Sequence, residues 1–297
     1  MAAINNSYIG RFAPSPTGPL HFGSLIAALG SYLDARVHKG KWLLRIDDID
    51  PPRTQPGAVE SILRTLEQFG FEWDGAVLFQ SSRNQAYHEA LLQLQDRGLV
   101  FFCTCSRRQI AEEGDTVYPG TCRQCMTAPA DRKYSIRIRT EAGKTGLNDL
   151  IQGSYAQNLD IEVGDFVLLR RDGFFSYHLA CSVDDAYQSV THVVRGADLL
   201  DSTPRQIYLQ QLLQFPTPQY AHLPIATNPA GQKLSKQNLA RALDTNRREQ
   251  LLRDALQFLG QQPPQELQSA DLKTLWYWAS ANWSLSSVPP TAMPVTE

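Results

Sequence analysis

The sequence predicts an α/β fold, a parallel sheet with crossover helices, and three observations carry that reading. Strand-like and helix-like segments alternate through the first hundred residues, as a parallel sheet requires. A turn rich in proline and glycine joins the first strand to the first helix. Four of the five cysteines then fall between residues 103 and 125, in a polar stretch that interrupts the alternation as an insertion would.

Taken in order, Tyr8–Phe12 reads as a short buried strand, and Leu25, Ala28, Leu29, Tyr32 and Leu33 share one helical face. Trp42–Ile46 reads as a second strand. Val59, Ile62, Leu63, Leu66 and Phe69 mark the next helix, Val77–Phe79 a third strand, and Tyr87, Ala90, Leu91 and Leu94 a third helix. Tyr134–Arg139 alternates as a strand inside the polar stretch. Asp172-Gly173, between FVLLR and FFSYHL, signals a hairpin. Pro204 behind Ser202-Thr203 suits a helix start. Leu252, Ala255, Leu256 and Leu259 predict a late amphipathic helix, and Leu272, Leu275, Trp276 and Ala279 a last one. The closing SSVPPTAMPVTE is proline-rich and is expected to be frayed or loosely packed.

The 297 residues are 42% hydrophobic and 20% charged, enough for one large core and inconsistent with large-scale disorder. A formal net charge of −2 gives no nucleic-acid signal, so any such contact has to come from local patches. Residues 233–253 carry six Lys/Arg against two acids, and Arg107, Arg108 and Arg123 flank the cysteines. These patches suit phosphate contacts and solvated faces alike. The opening MAAINNSYIGRF lacks the pattern of a signal peptide. The longest apolar stretch, Leu25–Leu33, is interrupted by Gly30 and Ser31 and is too short for a bilayer. A cytoplasmic protein without membrane contact is expected.

Two segments point to nucleotide chemistry. RFAPSPTGPLHFGSL runs from the first strand into the first helix. Its prolines fix the path, and Gly18 and Gly23 let backbone approach a ligand. The helix behind it offers free N–H groups and a positive dipole end to an anion. His21, at the helix entrance, is placed either to donate to a phosphate oxygen or simply to cap the helix. Far downstream, KLSKQ (233–237) follows NPAGQ, and its two lysines could swing over a triphosphate. Alone, it reads as well as a surface loop.

The cysteines form two pairs, CxC at Cys103 and Cys105 and CxxC at Cys122 and Cys125. Two pairs about fifteen residues apart are a structural-zinc signal, with buried thiols as the alternative. Spacing alone favours four thiolates. Cys181, in YHLACSV, reads as a core cysteine.

PSPTGPLHFGSL resembles the HIGH motif, and KLSKQ the KMSKS motif, of class I aminoacyl-tRNA synthetases. RFAPSPTGPLH followed by LLRIDDID resembles the glutamyl and glutaminyl branch over roughly residues 7–240. The resemblance implies a Rossmann-like sheet and use of ATP with Mg. It implies that His21 and Lys236 are catalytic and that His21, Gly23, Lys233, Ser235 and Lys236 contact ATP. It further implies that L-glutamate is held by Arg11, Phe12, Ala13, Pro14, Ser15, Asp47, Tyr177 and Arg195. Forked cations suit two carboxylates and an acid suits an ammonium. Arg195 pairing with Asp198, and Tyr177 as a core aromatic, are the structural alternatives. Asp47 stands where the family has Glu, roughly 1.5 Å shorter in reach, so a backbone shift or bridging water is expected to compensate.

The resemblance also implies zinc ligands Cys103, Cys105, Tyr118 and Cys122, in the pattern CxC then Y-x-x-x-C, with Cys125 as the rival of the weakly binding phenol. It divides the chain into a first half of the nucleotide-binding domain (1–102), a zinc-containing insertion (103–160), a second half (161–225), and a C-terminal region with KLSKQ and a few helices (226–297). With sixty residues after KLSKQ, no anticodon-binding domain is expected. That fits the glutamyl-Q tRNA(Asp) synthetases, a family resembling the catalytic half of glutamyl-tRNA synthetase, which transfers glutamate to the queuosine base of tRNA(Asp). VVRGADLL and KLSKQN also resemble that family. A monomer is expected. The rival readings are a truncated glutamyl-tRNA synthetase charging tRNA 3′ ends, a non-catalytic tRNA-binding paralogue, and a nucleotidylyltransferase acting on another small molecule.

Overall fold

The structure is a computed structural model, and it describes residues 7–112, 117–227, 241–291 and 293–294. Strand β1 (Ile9–Phe12) leads through the PSPTGPLH loop into helix α1 (Phe22–Val37), which crosses to β2 (Lys41–Ile46). Helix α2 (Ala58–Gln68) crosses to β3 (Leu78–Phe79), and the three strands form a parallel sheet in the order β1-β2-β3. The register sets Ile9 against Lys41 and Phe12 against Leu44. Each strand and helix face read from the sequence is present in this region, because each apolar stripe buries against the shared core.

Helix α3 (Asn84–Asp96) leads to β4 (Val100–Cys103) and a short α4 (Arg107–Glu112). Next come β5 (Ser135–Ile138), the hairpin β6 (Lys144–Asp149) and β7 (Gly153–Asn158), α5 (Leu159–Glu162) and β8 (Val167–Leu169). Strands β4, β5 and β8 make an antiparallel sheet, so strands on either side of residues 103–160 pair with one inside.

Asp172-Gly173 does turn the chain, with Gly173 at φ 88°. The expected hairpin does not extend, however. Its second arm is a single bridge, Leu169 to Phe175, before α6 (Tyr177–Tyr187) begins at a Ser176 cap. Ser176 accepts the Leu179 N–H, and that cap prevails over the strand pattern.

Strand β9 (His192–Gly196), α7 (Thr203–Leu212) and β10 (Gln219–Leu223) complete the second half, with β9 and β10 parallel. Thr191 joins the halves: its N–H donates to Ile9 O at 2.9 Å and its Oγ1 accepts the Ile9 N–H at 2.8 Å. After β11 (Ala226–Thr227) come α8 (Arg248–Phe258), α9 (Leu272–Asn282) and β12 (Met293–Pro294). Leu25, Leu29 and Leu33 of α1 pack with Trp42 and Leu44 of β2 and with Leu252, Ala255 and Leu256 of α8 in one core. Gly30 allows this close approach: a Cβ there would stand 2.7 Å from Leu223 Cδ1.

The proline-rich tail is docked where it is described, contrary to the expectation of fraying. Val288 is buried, Gln152 Nε2 donates to Pro290 O at 3.0 Å, and β12 pairs in parallel with β11. No described helix is long and apolar enough to cross a membrane.

Candidate active site and cysteine cluster

The PSPTGPLH loop is a built surface. Asp47 N–H donates to Pro14 O at 3.0 Å, Gln55 N–H to Pro16 O at 2.9 Å, and Leu243 N–H to Leu20 O at 2.9 Å. Gly18 takes φ 139°, a conformation that side chains disfavour. At the end of the loop His21 Nδ1 accepts the Ser24 N–H at 3.3 Å, and Ser24 Oγ accepts the His21 N–H in return. His21 therefore caps α1. A ring nitrogen that accepts carries no proton, so the ring proton belongs on Nε2, as phosphate recognition requires.

A cavity of about 600 Å³ opens between this loop and the C-terminal ends of β9 and β10. The ends of parallel strands, where the chain reverses its order, are where α/β sheets bind ligands. The cavity collects Arg11 and Phe12 from the end of β1, Ala13, Pro14 and Ser15 from the loop, His21 and Gly23 from the start of α1, Tyr177 from α6 and Arg195 from β9. Nine of the residues singled out in the sequence thus line one space. Lys233, Ser235 and Lys236 lie outside the described residues.

Arg195 does not use Asp198 as its counter-charge. Its Nε donates toward His222 Nε2 (3.2 Å), its Nη1 to the Tyr177 hydroxyl (3.3 Å), and its Nη2 to Thr203 Oγ1 and Gln206 Oε1 (both 2.8 Å). The guanidinium is buried yet meets only neutral acceptors, so its charge remains available to an anion. Tyr177 is half-buried at the cavity wall, not in the core.

Asp47 lies behind the cavity wall, not on it. It is buried, and Arg45 Nε donates to it at 2.8 Å. Arg45 also meets Asp185 (2.6 Å), which accepts from Arg11 Nε (3.2 Å) and Nη2 (3.3 Å). Two arginines and two carboxylates thus neutralise one another out of contact with water. Burial alone would raise both carboxyls. At Asp185 the Arg11 and Arg45 charges prevail and hold it well below the usual range, whereas at Asp47 burial prevails and pushes it up to about 6. Cys181 is buried as expected, but its Sγ belongs to this cluster, 3.5 Å from Arg45 Nη2 and 3.6 Å from Asp185 Oδ2. Arg45 and Asp185 are not among the site residues expected from the sequence. Their signal was available: charged residues within the apolar runs WLLRI and LACSVDDAY.

The cysteine cluster forms at the end of β4. The Sγ atoms of Cys103, Cys105 and Cys122 lie within 4.8 Å of one another, with Cys105 and Cys122 3.5 Å apart. Ligands about 2.3 Å from a tetrahedral zinc stand about 3.8 Å apart, so the spacing fits that ion, and thiolates suit it. The Tyr118 hydroxyl lies 3.4 Å from Cys103 Sγ and accepts the Cys122 N–H at 2.7 Å. Cys125 is exposed and stands outside the group of sulfurs. Its backbone turns the chain, donating to Cys122 O and accepting from Phe102 N–H. Burial opposes ionisation at Cys122, but hydrogen bonds from Thr104, Cys105 and Tyr118 overcome it and bring the thiol down to about 7.

The described arginines of the 233–253 patch are partly engaged: Arg248 pairs with Glu249, and Arg253 donates to Gln268 O. Arg123 reaches Asp165 at 3.3 Å.

Comparison with known proteins fits this geometry. The family model for class I tRNA synthetases (E and Q), catalytic domain, matches residues 9–263. A glutamyl-Q tRNA(Asp) synthetase of Dechloromonas aromatica (strain RCB) is 54% identical over 294 residues, 96% of this chain and 97% of the relative. One of Neisseria meningitidis (serogroup A / serotype 4A, strain DSM 15465 / Z2491) is 55% identical over 294 residues, 96% of this chain and 99% of the relative. The crystal structure of glutamate-tRNA synthetase from Elizabethkingia anophelis shares the fold at a TM-score of 0.81 and 24% identity, over 98% of this chain and 68% of that one. The chain belongs to the class I tRNA synthetases of the E and Q branch and, within them, to the glutamyl-Q tRNA(Asp) synthetase family.

Proposed function

We propose that this enzyme activates L-glutamate with ATP and Mg and transfers it to the queuosine base of tRNA(Asp). The observation that carries the first step is the cavity in which Arg11, Ser15, Tyr177 and Arg195 face the His21-capped start of α1. Glutamate occupies the arginine side, with Phe12, Ala13 and Pro14 contributing backbone. The triphosphate lies along His21 and Gly23, at the positive end of the helix. Lys233, Ser235 and Lys236 supply further ATP contacts, and Lys236 is catalytic together with His21. The α-carboxylate of glutamate attacks the α-phosphate, and pyrophosphate leaves with the bonding electrons. A hydroxyl of the modified base then attacks the acyl carbon and loses its proton, and AMP departs. The names of the relatives support this acceptor.

Cys103, Cys105, Cys122 and Tyr118 would hold a structural zinc, which would order a segment whose described local core is small: Phe101, Cys103 and Tyr118, with Cys105, Ile110 and Cys122 packed against them. The protein acts as a cytoplasmic monomer. Asp47 serves the pocket indirectly, through Arg45 and its link to Asp185 and Arg11.

ATP–pyrophosphate exchange with glutamate, glutamine and aspartate tests the first step. Exchange with glutamate is expected to exceed the others, and a protein inert with all three amino acids, with and without tRNA, refutes it. Glutamylation of tRNA(Asp) with and without queuosine tests the second. Equal labelling of both tRNAs removes the modified base as acceptor and leaves the 3′ end.

A further inference from the structure

Below the floor of the cavity, the end of the β6–β7 hairpin meets β10 through two side chains with no solvent exposure, Asp149 and His222. Asp149 Oδ1 accepts three backbone N–H groups, from Ile151 (3.0 Å), Gln152 (2.9 Å) and His222 (3.0 Å). Its Oδ2 stands 2.6 Å from His222 Nδ1. On the far side of the ring, His222 Nε2 faces Arg195 Nε at 3.2 Å and Thr203 Oγ1 at 3.0 Å.

These contacts permit one arrangement of the proton. Arginine only donates. Thr203 Oγ1 accepts from Arg195 Nη2 and can turn its own proton to Nε2 (3.0 Å) or to Leu199 O (3.1 Å), so it accommodates a lone pair on Nε2, which the Arg195 Nε–H demands. Nε2 therefore has to be the lone pair, and the proton sits on Nδ1, directed at the carboxylate. We propose that Asp149 and His222 are positioning residues for Arg195. The carboxylate fixes the imidazole in its Nδ1–H form, and Nε2 then holds the guanidinium at the angle that brings Nη1 to Tyr177 across the amino-acid pocket. Burial keeps the imidazole below its usual value despite Asp149, which supports a neutral ring. Second groups that fix a tautomer in this way are common where a histidine has an oriented task. The link also runs over distance: Asp149 belongs to the β6–β7 hairpin, so the hairpin supports Arg195 from below the pocket floor.

The role in glutamate binding rests on the proposed function of the cavity, whereas the tautomer does not. Asp149→Asn preserves shape and, through its amide oxygen, the three backbone hydrogen bonds. Its NH2 group then faces Nδ1, which drives the ring proton to Nε2 and sets it against the Arg195 N–H. In ATP–pyrophosphate exchange the KM for glutamate is expected to rise about tenfold or more, as for one lost hydrogen bond to a charged donor. The KM for ATP should change by less than about twofold and kcat by less than the KM for glutamate. His222→Gln, whose amide oxygen can reach Arg195, should restore part of the loss seen in His222→Leu. Long-range nitrogen–proton NMR of histidine-labelled wild-type protein, with the signal assigned by its loss in His222→Gln, should show the Nδ1–H form. A wild-type Nε2–H form overturns the proposal without any activity assay. So does Asp149→Asn with the wild-type KM for glutamate. A wild-type protein that shows the Nδ1–H form yet never exchanges with glutamate overturns the functional reading of the cavity and leaves the geometry standing.

Discussion

Asp185→Asn is the most searching perturbation of the charge cluster behind the pocket. The carboxylate accepts from Arg11 Nε and Nη2 and from Arg45 Nη1, and all three side chains are buried. The amide keeps the shape and one acceptor oxygen but removes the charge, leaving two buried guanidiniums with Asp47 alone. Three hydrogen bonds to charged groups at about 1.5–3 kcal/mol each set an upper range. The retained oxygen and local relaxation bring the expected loss to about 3–5 kcal/mol, typical of removing one partner from a buried ion pair. The urea midpoint at pH 7 reads it, with an unchanged slope. The sign of the pH dependence follows from the folded carboxyl lying well below its ordinary value. Its contribution is fully present above the unfolded pKa near 3.9 and fades as pH falls toward the folded one. The gap between wild type and variant should therefore be flat from about pH 7 to 8, change where Asp47 titrates, since the Asp185 charge helps to raise that carboxyl, and narrow below about pH 4. Because Arg11 loses its anchor, the KM for glutamate should rise as well. A stability difference below about 1 kcal/mol at pH 7 would show that Arg11 and Arg45 are solvated or paired in some other way and refute the reasoning.

Three further outcomes follow from neighbouring features. Asp47, held at about 6 by burial, binds its proton more tightly folded than unfolded, so its ionisation should cost wild type about 3 kcal/mol of stability between roughly pH 4 and 6. Asp47→Asn should lack that slope, and parallel pH profiles would contradict it. Cys122→Ser should lose bound zinc, measured by metal analysis of the purified protein, whereas Cys125→Ser should keep it, since that thiol stands outside the cluster. Loss of metal in Cys125→Ser with retention in Tyr118→Phe would assign the fourth position to the thiol. Gly30→Ala should destabilise by about 1–3 kcal/mol, because the new methyl meets Leu223 Cδ1 at 2.7 Å and both partners lie in the core. Unchanged thermal unfolding would show that Leu223 turns aside at no cost.

What could be read in the sequence was what repeats or clusters along it. The faces of α1, α2, α3, α8 and α9 follow from apolar spacing, since a helix must bury one stripe. The turn carrying His21 and the CxC pair were legible because proline, glycine and cysteine have few alternative uses at such density. The failures are local patterns overruled by distant partners. FFSYHL alternates like a strand, yet Ser176 caps a helix that fits against α7. The proline-rich tail is expected from its composition to be frayed or loosely packed, yet Gln152, in the turn before β7, and β11 receive it.

The positions of Arg11 and Arg195 show why residue type was readable and its setting was not. A sequence can nominate two arginines for two carboxylates on chemistry alone. What holds each of them lies far away in the chain. Arg11 is fixed by Asp185, 174 positions on, and Arg195 by His222, which in turn is oriented by Asp149, 73 positions back. No periodicity marks such partners, because each lies in an element whose pattern is explained by something else: Asp185 on a buried helix, His222 in a buried strand, Asp149 at a hairpin turn. The consequence is chemical. The two cations of the pocket are held by different means, Arg11 by a carboxylate that cancels its charge and Arg195 by neutral acceptors that leave its charge whole. Of the two, Arg195 therefore offers the stronger field to an incoming anion, and Arg11 offers position. Substitution by lysine should separate them. Lysine at position 195 keeps the charge but loses the fork that meets Tyr177, Thr203 and Gln206 together, whereas lysine at position 11 keeps one bond to Asp185 and most of the balance of charge. The KM for glutamate should accordingly rise more in Arg195→Lys than in Arg11→Lys, and the reverse order would mean that Arg11 carries the main attraction.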